Sequence, residues 1–319
     1  MAANKKIVDP TEHVHLLPVD VPDNYHCNCE YCQKFLGVLQ RPADQFEDPN
    51  DNARKYSKYD RNKYYSPEDK KHIDRTPLHI ARWAIQEYAK AGDWVLDPTM
   101  GAGTTAVEAI NHGCNVTGIE IEFIDVIQAN IAHANQQRID AGLEPCIGNV
   151  VQGDARQAAT HLEQFDKKYD LIVNNPPYSG DQNQVFKKGL KKGDNQWAKE
   201  NKVNLMYDKK FQNLAFLKEN PAYYEFIYDI YNSACQYLNP GGHFVIGVKD
   251  MMRKKQPYIL HKFLCDVFID IPDMEYVGMA LLPHWPTTLF MNTYPKQYPE
   301  AGQVPMYQTI NVFRKKEVI

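Results

Sequence analysis

The chain has 319 residues, 43% hydrophobic and 24% charged, with a net charge of −4; this suffices for one large α/β domain with additions and excludes a histone-like coat of positive charge. No stretch approaches the roughly 20 apolar residues of a bilayer span, and His, Asp, Glu and Pro occupy the start of the chain where a signal peptide needs an apolar run. The seven cysteines are an odd number, four of them (Cys114, Cys146, Cys235, Cys265) scattered through the periodic region, so the expectation is a cytoplasmic protein with reduced thiols and no membrane partner.

Residues 1–75 are punctuated by Pro10, Pro18, Pro22, Pro42, Pro49 and Pro67 and hold no long apolar period, which predicts an irregular N-terminal arm. Inside it, Cys27, Cys29 and Cys32 stand in a C-x-C-x-x-C run beside His26. Thiolates at that spacing suit a structural zinc; plain thiols in an ordered arm are the alternative.

From Thr76 to the end a domain is expected. Thr76-Pro77 opens a helix carrying Leu78, Ala81, Ile85 and Tyr88 on its period. Trp94–Asp97 reads as a short buried strand, Thr104–His112 as a helix stopped by Gly113, and Asn115–Glu120 as a second strand. Asp125–Arg138 is an amphipathic helix, Asn149–Gln152 a strand, Arg156–Gln164 a helix and Tyr169–Val173 a strand. After a polar segment, Ala222–Leu238 reads as a long helix closed by Asn239-Pro240-Gly241-Gly242. His243–Val248 follows as a strand, Tyr258–Phe268 as a helix, and two late strands lie near Tyr276–Leu282 and Met306–Phe313. Strands alternating with helices predict a doubly wound α/β fold, a seven-stranded Rossmann-like sheet covered on both faces.

Two motifs carry chemistry. Asp97-Pro98-Thr99-Met100-Gly101-Ala102-Gly103-Thr104-Thr105 is a glycine turn between a strand and a helix, where free backbone N–H groups approach a ligand closely. It lacks the Gly-Lys-Ser/Thr of a phosphate loop. Glu120, 23 residues after Asp97 at the end of the second strand, is placed to hold both ribose hydroxyls of an adenosine. Asp154, ending the third strand, suits an adenine amine or a helix N-cap equally well. The second motif is Asn175-Pro176-Pro177-Tyr178, closing an apolar strand. The prolines end the ladder and fix a rigid turn at the strand's carboxyl end. The Asn175 side-chain oxygen and the Pro176 carbonyl can accept the hydrogens of an exocyclic amine, and Tyr178 can stack on a base that has left its helix.

Together, Thr76–Ala84, Gly92–Pro98, Gly101–Thr105 and Asn175–Tyr178 resemble the DNA amino-methyltransferase family that acts on adenine N6 or cytosine N4. The resemblance covers about residues 74–315, densely in the two motifs and thinly after residue 180. It implies an S-adenosylmethionine-dependent methyltransferase sheet, with Thr76, Asp97, Pro98, Gly101, Gly103, Thr104, Thr105, Glu120 and Asp154 at the cofactor and Asn175, Pro176, Pro177 and Tyr178 as the catalytic tetrapeptide. It implies no catalytic metal. Having the cofactor block first is the order of the adenine-directed group, so DNA adenine leads. Cytosine N4, an RNA base amine and a protein glutamine are alternatives, and a cofactor-binding subunit of a methyltransferase complex is the non-enzyme one. Members of that order usually carry a sizeable target-recognition domain, for which this chain has no room.

Contacts to nucleic acid are expected from a basic loop at about residues 180–220. Lys187 to Lys210 holds eight lysines against three acids, with Lys187, Lys188, Lys191, Lys192 and Trp197 as the candidate substrate residues. Arg54–Arg75 and Lys249–Lys255 are weaker basic clusters.

Overall fold

The structure, a computed structural model, describes residues 61–71, 76–177, 220–253, 256–283 and 307–317. Helices α1 (Leu78–Tyr88), α2 (Thr104–His112) and α3 (Ile124–Asp140) alternate with strands β1 (Trp94–Asp97), β2 (Asn115–Glu120) and β3 (Gly148–Gln152). After them come α4 (Ala158–Glu163), β4 (Tyr169–Asn174), α5 (Asn220–Cys235) and β5 (Leu238–Val248). A small hairpin, β6 (Met251–Arg253) and β7 (Gln256–Tyr258), precedes α6 (Leu260–Ile269), β8 (Met274–Pro283) and β9 (Tyr307–Lys315). No helix among the described residues is long and apolar enough to cross a membrane.

The main sheet has seven strands in the order β3-β2-β1-β4-β5-β9-β8. β1 to β5 run parallel, and β9 lies antiparallel between β5 and β8. This is the doubly wound seven-stranded sheet expected from the sequence. The inner strands are buried on both faces, and alternate residues feed two cores. Val95, Val116, Leu171, Val173 and Val245 pack with α1, α2 and α3, whereas Leu96, Ile119, Ile172, Phe244 and Ile246 pack with α4, α5 and α6. One-residue slips would therefore exchange the two cores, and the register is firmly set. The chain winds outward from β1 to β3, then crosses back to β4. The carboxyl ends of β1 and β4 thus flank the point where strand order reverses, the crevice in which open α/β sheets bind ligands.

Several boundaries differ from the sequence reading. Asn239–Gly242 does not close a helix: α5 ends at Cys235 and the four residues lie inside β5. Tyr169 pairs with Leu238 but Leu171 with His243, so the run is a bulge. Gly241 takes φ +77°, and a Cβ on Gly242 would stand 2.9 Å from the Asp170 carbonyl, which is why glycines are needed there. The helix expected over Arg156–Gln164 is split into a 3-10 turn, Ala155–Gln157, and α4. The hairpin before α6 was not foreseen.

Candidate functional site

The glycine turn leaves β1 at Asp97 and enters α2 through Gly103, whose φ of +85° places it in the left-handed region; Gly101 has φ +58°. Met100 folds over Gly118, where a Cβ would lie 2.2 Å from its sulfur, and its N–H donates to the Ile119 carbonyl at 3.0 Å. The loop is thereby pressed on to β2. Glu120 completes the arrangement: Oε2 accepts the Gly101 N–H at 2.7 Å, and Oε1 accepts the N–H groups of Ile121 at 2.9 Å and Glu122 at 3.0 Å. Three of the roughly four lone-pair positions of its carboxylate are used, which leaves room for a further donor such as a hydroxyl. Burial pushes the Glu120 carboxyl up to about 7 against those three bonds.

Asp97 is 3% exposed. Its Oδ2 accepts from Thr105 Oγ1 at 2.6 Å, and its Oδ1 accepts from the Thr99 N–H at 3.1 Å and from Asn174 Nδ2 at 3.0 Å. Burial pushes this carboxyl up to about 6. Asp97 thus braces the loop from within, and Thr105 is a hydroxyl that holds Asp97. Pro98 is buried beside it. Thr104 is also buried; its hydroxyl accepts from Arg61 Nη2 at 3.1 Å and stands 3.5 Å from the Thr76 carbonyl.

Asp154 realises the N-cap reading. Its Oδ1 accepts the Arg156 N–H at 3.0 Å, and both oxygens are engaged by the Arg156 guanidinium, with Nη2 2.5 Å from Oδ2. Those hydrogen bonds hold its carboxyl below the usual range despite partial burial. A cofactor amine would compete with Arg156 for it.

At the end of β4 two asparagines have different surroundings. Asn174 is fully buried: Nδ2 donates to Asp97 Oδ1 and, at 2.7 Å, to Thr99 Oγ1, while Oδ1 accepts from Tyr231 Oη at 2.9 Å. Asn175 is half-buried, and among the described residues its side chain has no hydrogen-bond partner. From α5, Tyr223 Oη donates to the Pro177 carbonyl at 3.0 Å. Pro176 is buried and Pro177 half-buried. The turn is therefore held by its neighbours, and the Asn175 amide is not engaged by any of the described residues. The sequence reading missed Asn174, Tyr223 and Tyr231. The signal for Asn174 was its place in the strand alternation, one residue before the turn, where a buried polar side chain must find partners.

Thr76, Asp97, Pro98, Gly101, Gly103, Thr104, Thr105 and Glu120 surround one loop at the carboxyl ends of β1 and β2; Asp154 follows β3, and Asn175, Pro176 and Pro177 follow β4. The donors and acceptors fit a nucleoside cofactor: glycines in left-handed geometry, a carboxylate with spare capacity at the end of β2, and a braced turn beside them. Tyr178, the lysines Lys187, Lys188, Lys191 and Lys192, Trp197, and Cys27, Cys29 and Cys32 lie outside the described residues. Within the weaker basic cluster Arg54–Arg75, Arg61 and Tyr65 are not surface groups: they are 7% and 2% exposed and bond inside the protein, which removes them as phosphate contacts.

Residues 23–128 match the model of a DNA methylase family, that of the N6/N4 methylases. The match spans the glycine loop and Glu120 and ends before Asn175. Over 57 residues the chain is 42% identical to the type II methyltransferase M.MthZI of Methanothermobacter thermautotrophicus, covering 17% of this chain and 16% of that protein. Over 91 residues it is 32% identical to a tRNA (guanine(10)-N2)-dimethyltransferase of the same species, covering 28% of this chain and 23% of that one. Among solved structures, TrmN from Thermus thermophilus is similar at 17% identity with a TM-score of 0.41, covering 75% of this chain and 49% of that one. The chain thus spans less than a quarter of the length of these two curated relatives. Over residues 23–128, including most of the N-terminal segment and the whole glycine loop, this chain is similar to the N6/N4 DNA methylases.

Proposed function

We propose that this chain is an S-adenosylmethionine-dependent methyltransferase acting on an exocyclic amine of a nucleic-acid base, with adenine N6 of DNA as its first substrate. The observation that carries this reading is the bond between Asp97 Oδ1 and Asn174 Nδ2 at 3.0 Å. It joins the glycine loop to the residue preceding Asn175, so cofactor loop and amine-accepting turn form one braced unit at the switch point of the sheet.

When bound, S-adenosylmethionine would supply an electrophilic methyl group to the amine nitrogen, with a neutral thioether as the leaving group. The Glu120 carboxylate would accept ribose hydroxyls, Asp97 holds the loop, and Thr76 and Thr104 would contribute to the cofactor site. Asn175 accepts an amine hydrogen on its side-chain oxygen and Pro176 accepts the other on its carbonyl. This would orient the lone pair for attack on the methyl group, and the nitrogen's surplus proton would pass to solvent or Asn175. Tyr178 stacks on the extruded base, and Lys187, Lys188, Lys191 and Lys192 with Trp197 engage the backbone and stack. Cys27, Cys29 and Cys32 are proposed, from their spacing alone, as ligands of a structural zinc. The proposed division is an arm of residues 1–75 and a methyltransferase domain of residues 76–319, with residues 61–71 of the arm packed into the domain.

A second reading, an RNA guanine amine as substrate, is favoured by the 32% identity over 91 residues to the tRNA dimethyltransferase. Purified protein incubated with isotopically labelled cofactor and, separately, DNA, tRNA and protein decides between them. Label recovered as N6-methyladenine from DNA supports the first reading, and N2-methylguanine from tRNA supports the second. Label on protein glutamine, or on nothing, would overturn both.

A further inference from the structure

Residues 61–71 meet the glycine loop through buried polar groups that the function proposed above does not employ. Arg61 reaches three partners: Nη1 lies 3.3 Å from Asp69 Oδ1, and Nη2 donates both to the Thr76 carbonyl and, at 3.1 Å, to Thr104 Oγ1. Thr76 precedes the first turn of α1 and Thr104 is the first residue of α2. One guanidinium therefore ties the entrance of α1 to the start of α2, the two walls at one end of the loop.

Asn130 makes a second tie from α3. It is fully buried. Its Nδ2 donates to the Ala102 carbonyl at 2.7 Å and contacts Asp69 Oδ1 at 3.4 Å, while its Oδ1 accepts the Ser66 N–H at 2.9 Å. Ala102 stands between the two loop glycines. A third contact lies away from the loop: Tyr65 Oη donates to Glu108 Oε1 at 2.9 Å, and Glu108 is also paired with Arg82 at 2.8 Å. That contact, with Tyr65 in the core, already attaches the segment to α2. Anchoring alone thus leaves the two loop contacts without a purpose, although removing either would leave buried acceptors unmet.

We propose that residues 61–71 form a strap that positions the glycine loop for its cofactor. Arg61 and Asn130 are its positioning residues, one acting through Thr76 and Thr104 and the other through Ala102. The inference rests on the reading of Asp97–Thr105 as the S-adenosylmethionine loop. By reciprocity of coupling, a ligand that favours the strapped loop also holds the strap down. Lys70 and Lys71 are exposed on the strap and report its opening to trypsin.

The test is calorimetric titration of S-adenosylhomocysteine into the wild-type protein and into Arg61→Ala, Arg61→Lys, Asn130→Ala and Tyr65→Phe, with Tm measured for each. Arg61→Ala and Asn130→Ala are expected to raise Kd on the order of 10-fold, the scale of one lost hydrogen bond to a charged or buried group. Their KM for the cofactor should rise in parallel, with kcat at saturation changing less than about 3-fold. Arg61→Lys retains a cation opposite Asp69 and is expected to give an intermediate Kd; it carries the test if the alanine variant does not fold. Tyr65→Phe loses the anchor only, so Tm should fall while Kd holds. S-adenosylhomocysteine should slow tryptic cleavage after Lys70 and Lys71. Wild-type Kd in folded Arg61→Lys and Asn130→Ala proteins would overturn the strap. A wild-type protein that binds no S-adenosylhomocysteine would instead overturn the cofactor reading, and the strap with it.

Discussion

Adjacent asparagines at the end of β4 do different work because one side chain is enclosed and the other is not. Asn174 satisfies Asp97, Thr99 and Tyr231 from a fully buried position. Asn174→Ala is therefore expected to cost about 1–3 kcal/mol for each partner left unmet, read as a drop in Tm, with Asn175→Ala close to wild type in the same assay. Glu120 gives a pH signature. Its carboxyl is raised from 4.5 to about 7 in the folded protein by burial, so folding takes up a proton between those values. The contribution of this group to the stability of the unliganded protein is then greatest below about 4.5, falls as pH rises to about 7, and levels off above. Thermal melts across this range should show the fall, and Glu120→Gln should flatten the part due to this group. Cofactor hydroxyls need the ionised carboxylate, so affinity for S-adenosylhomocysteine should weaken as pH drops below about 7. A pH-independent Kd would remove Glu120 from the ribose.

Among the elements, α5 supports the Asn175 turn from the second face of the sheet. Tyr231 packs edge-on against Phe244 at 4.9 Å and tilted against Phe268 at 5.2 Å while donating to Asn174, and Tyr223 donates to the Pro177 carbonyl. Tyr231→Phe keeps the ring packing and deletes the donor. It should destabilise by about 1–3 kcal/mol and lower kcat more than it changes cofactor Kd. Most elements were legible in the sequence because apolar alternation and helical spacing are local: Val95 and Leu96 declare two buried faces, and Gly113 ends α2. Asn239–Gly242 misled because glycine and proline signal a stop wherever they occur, and only pairing with β4 reveals a bulge. Asn130 sits on the apolar side of α3 between Ile127 and Ile131, a polar residue at a core position. The sequence could have flagged it, yet its partner Ala102 lies 28 residues away and no local pattern names it. Arg61 read as part of a basic cluster for the same reason.

For the molecule as a whole, the chain is acidic overall, with a net charge of −4, so the nucleic-acid substrate proposed above would have to be met by a local basic surface. The lysine run after the Asn175 turn is the candidate. Replacing Lys187, Lys188, Lys191 and Lys192 with alanine should flatten the salt dependence of binding by about 0.7–0.9 per lost phosphate contact in the log–log slope, with little change in single-turnover methylation at saturation. An unchanged slope would make them ordinary surface lysines. In the function proposed above, the Asn175 turn, braced to the glycine loop through Asn174 and Asp97, directs methyl transfer to a base amine. Single-turnover transfer of labelled methyl from S-adenosylmethionine to adenine-containing DNA, comparing wild type with Asn175→Ala, tests it most directly. The expected result is a folded variant with near-normal cofactor Kd, a rate lowered by ~100-fold or more, and partial recovery in Asn175→Asp. Transfer by Asn175→Ala at the wild-type rate would contradict it.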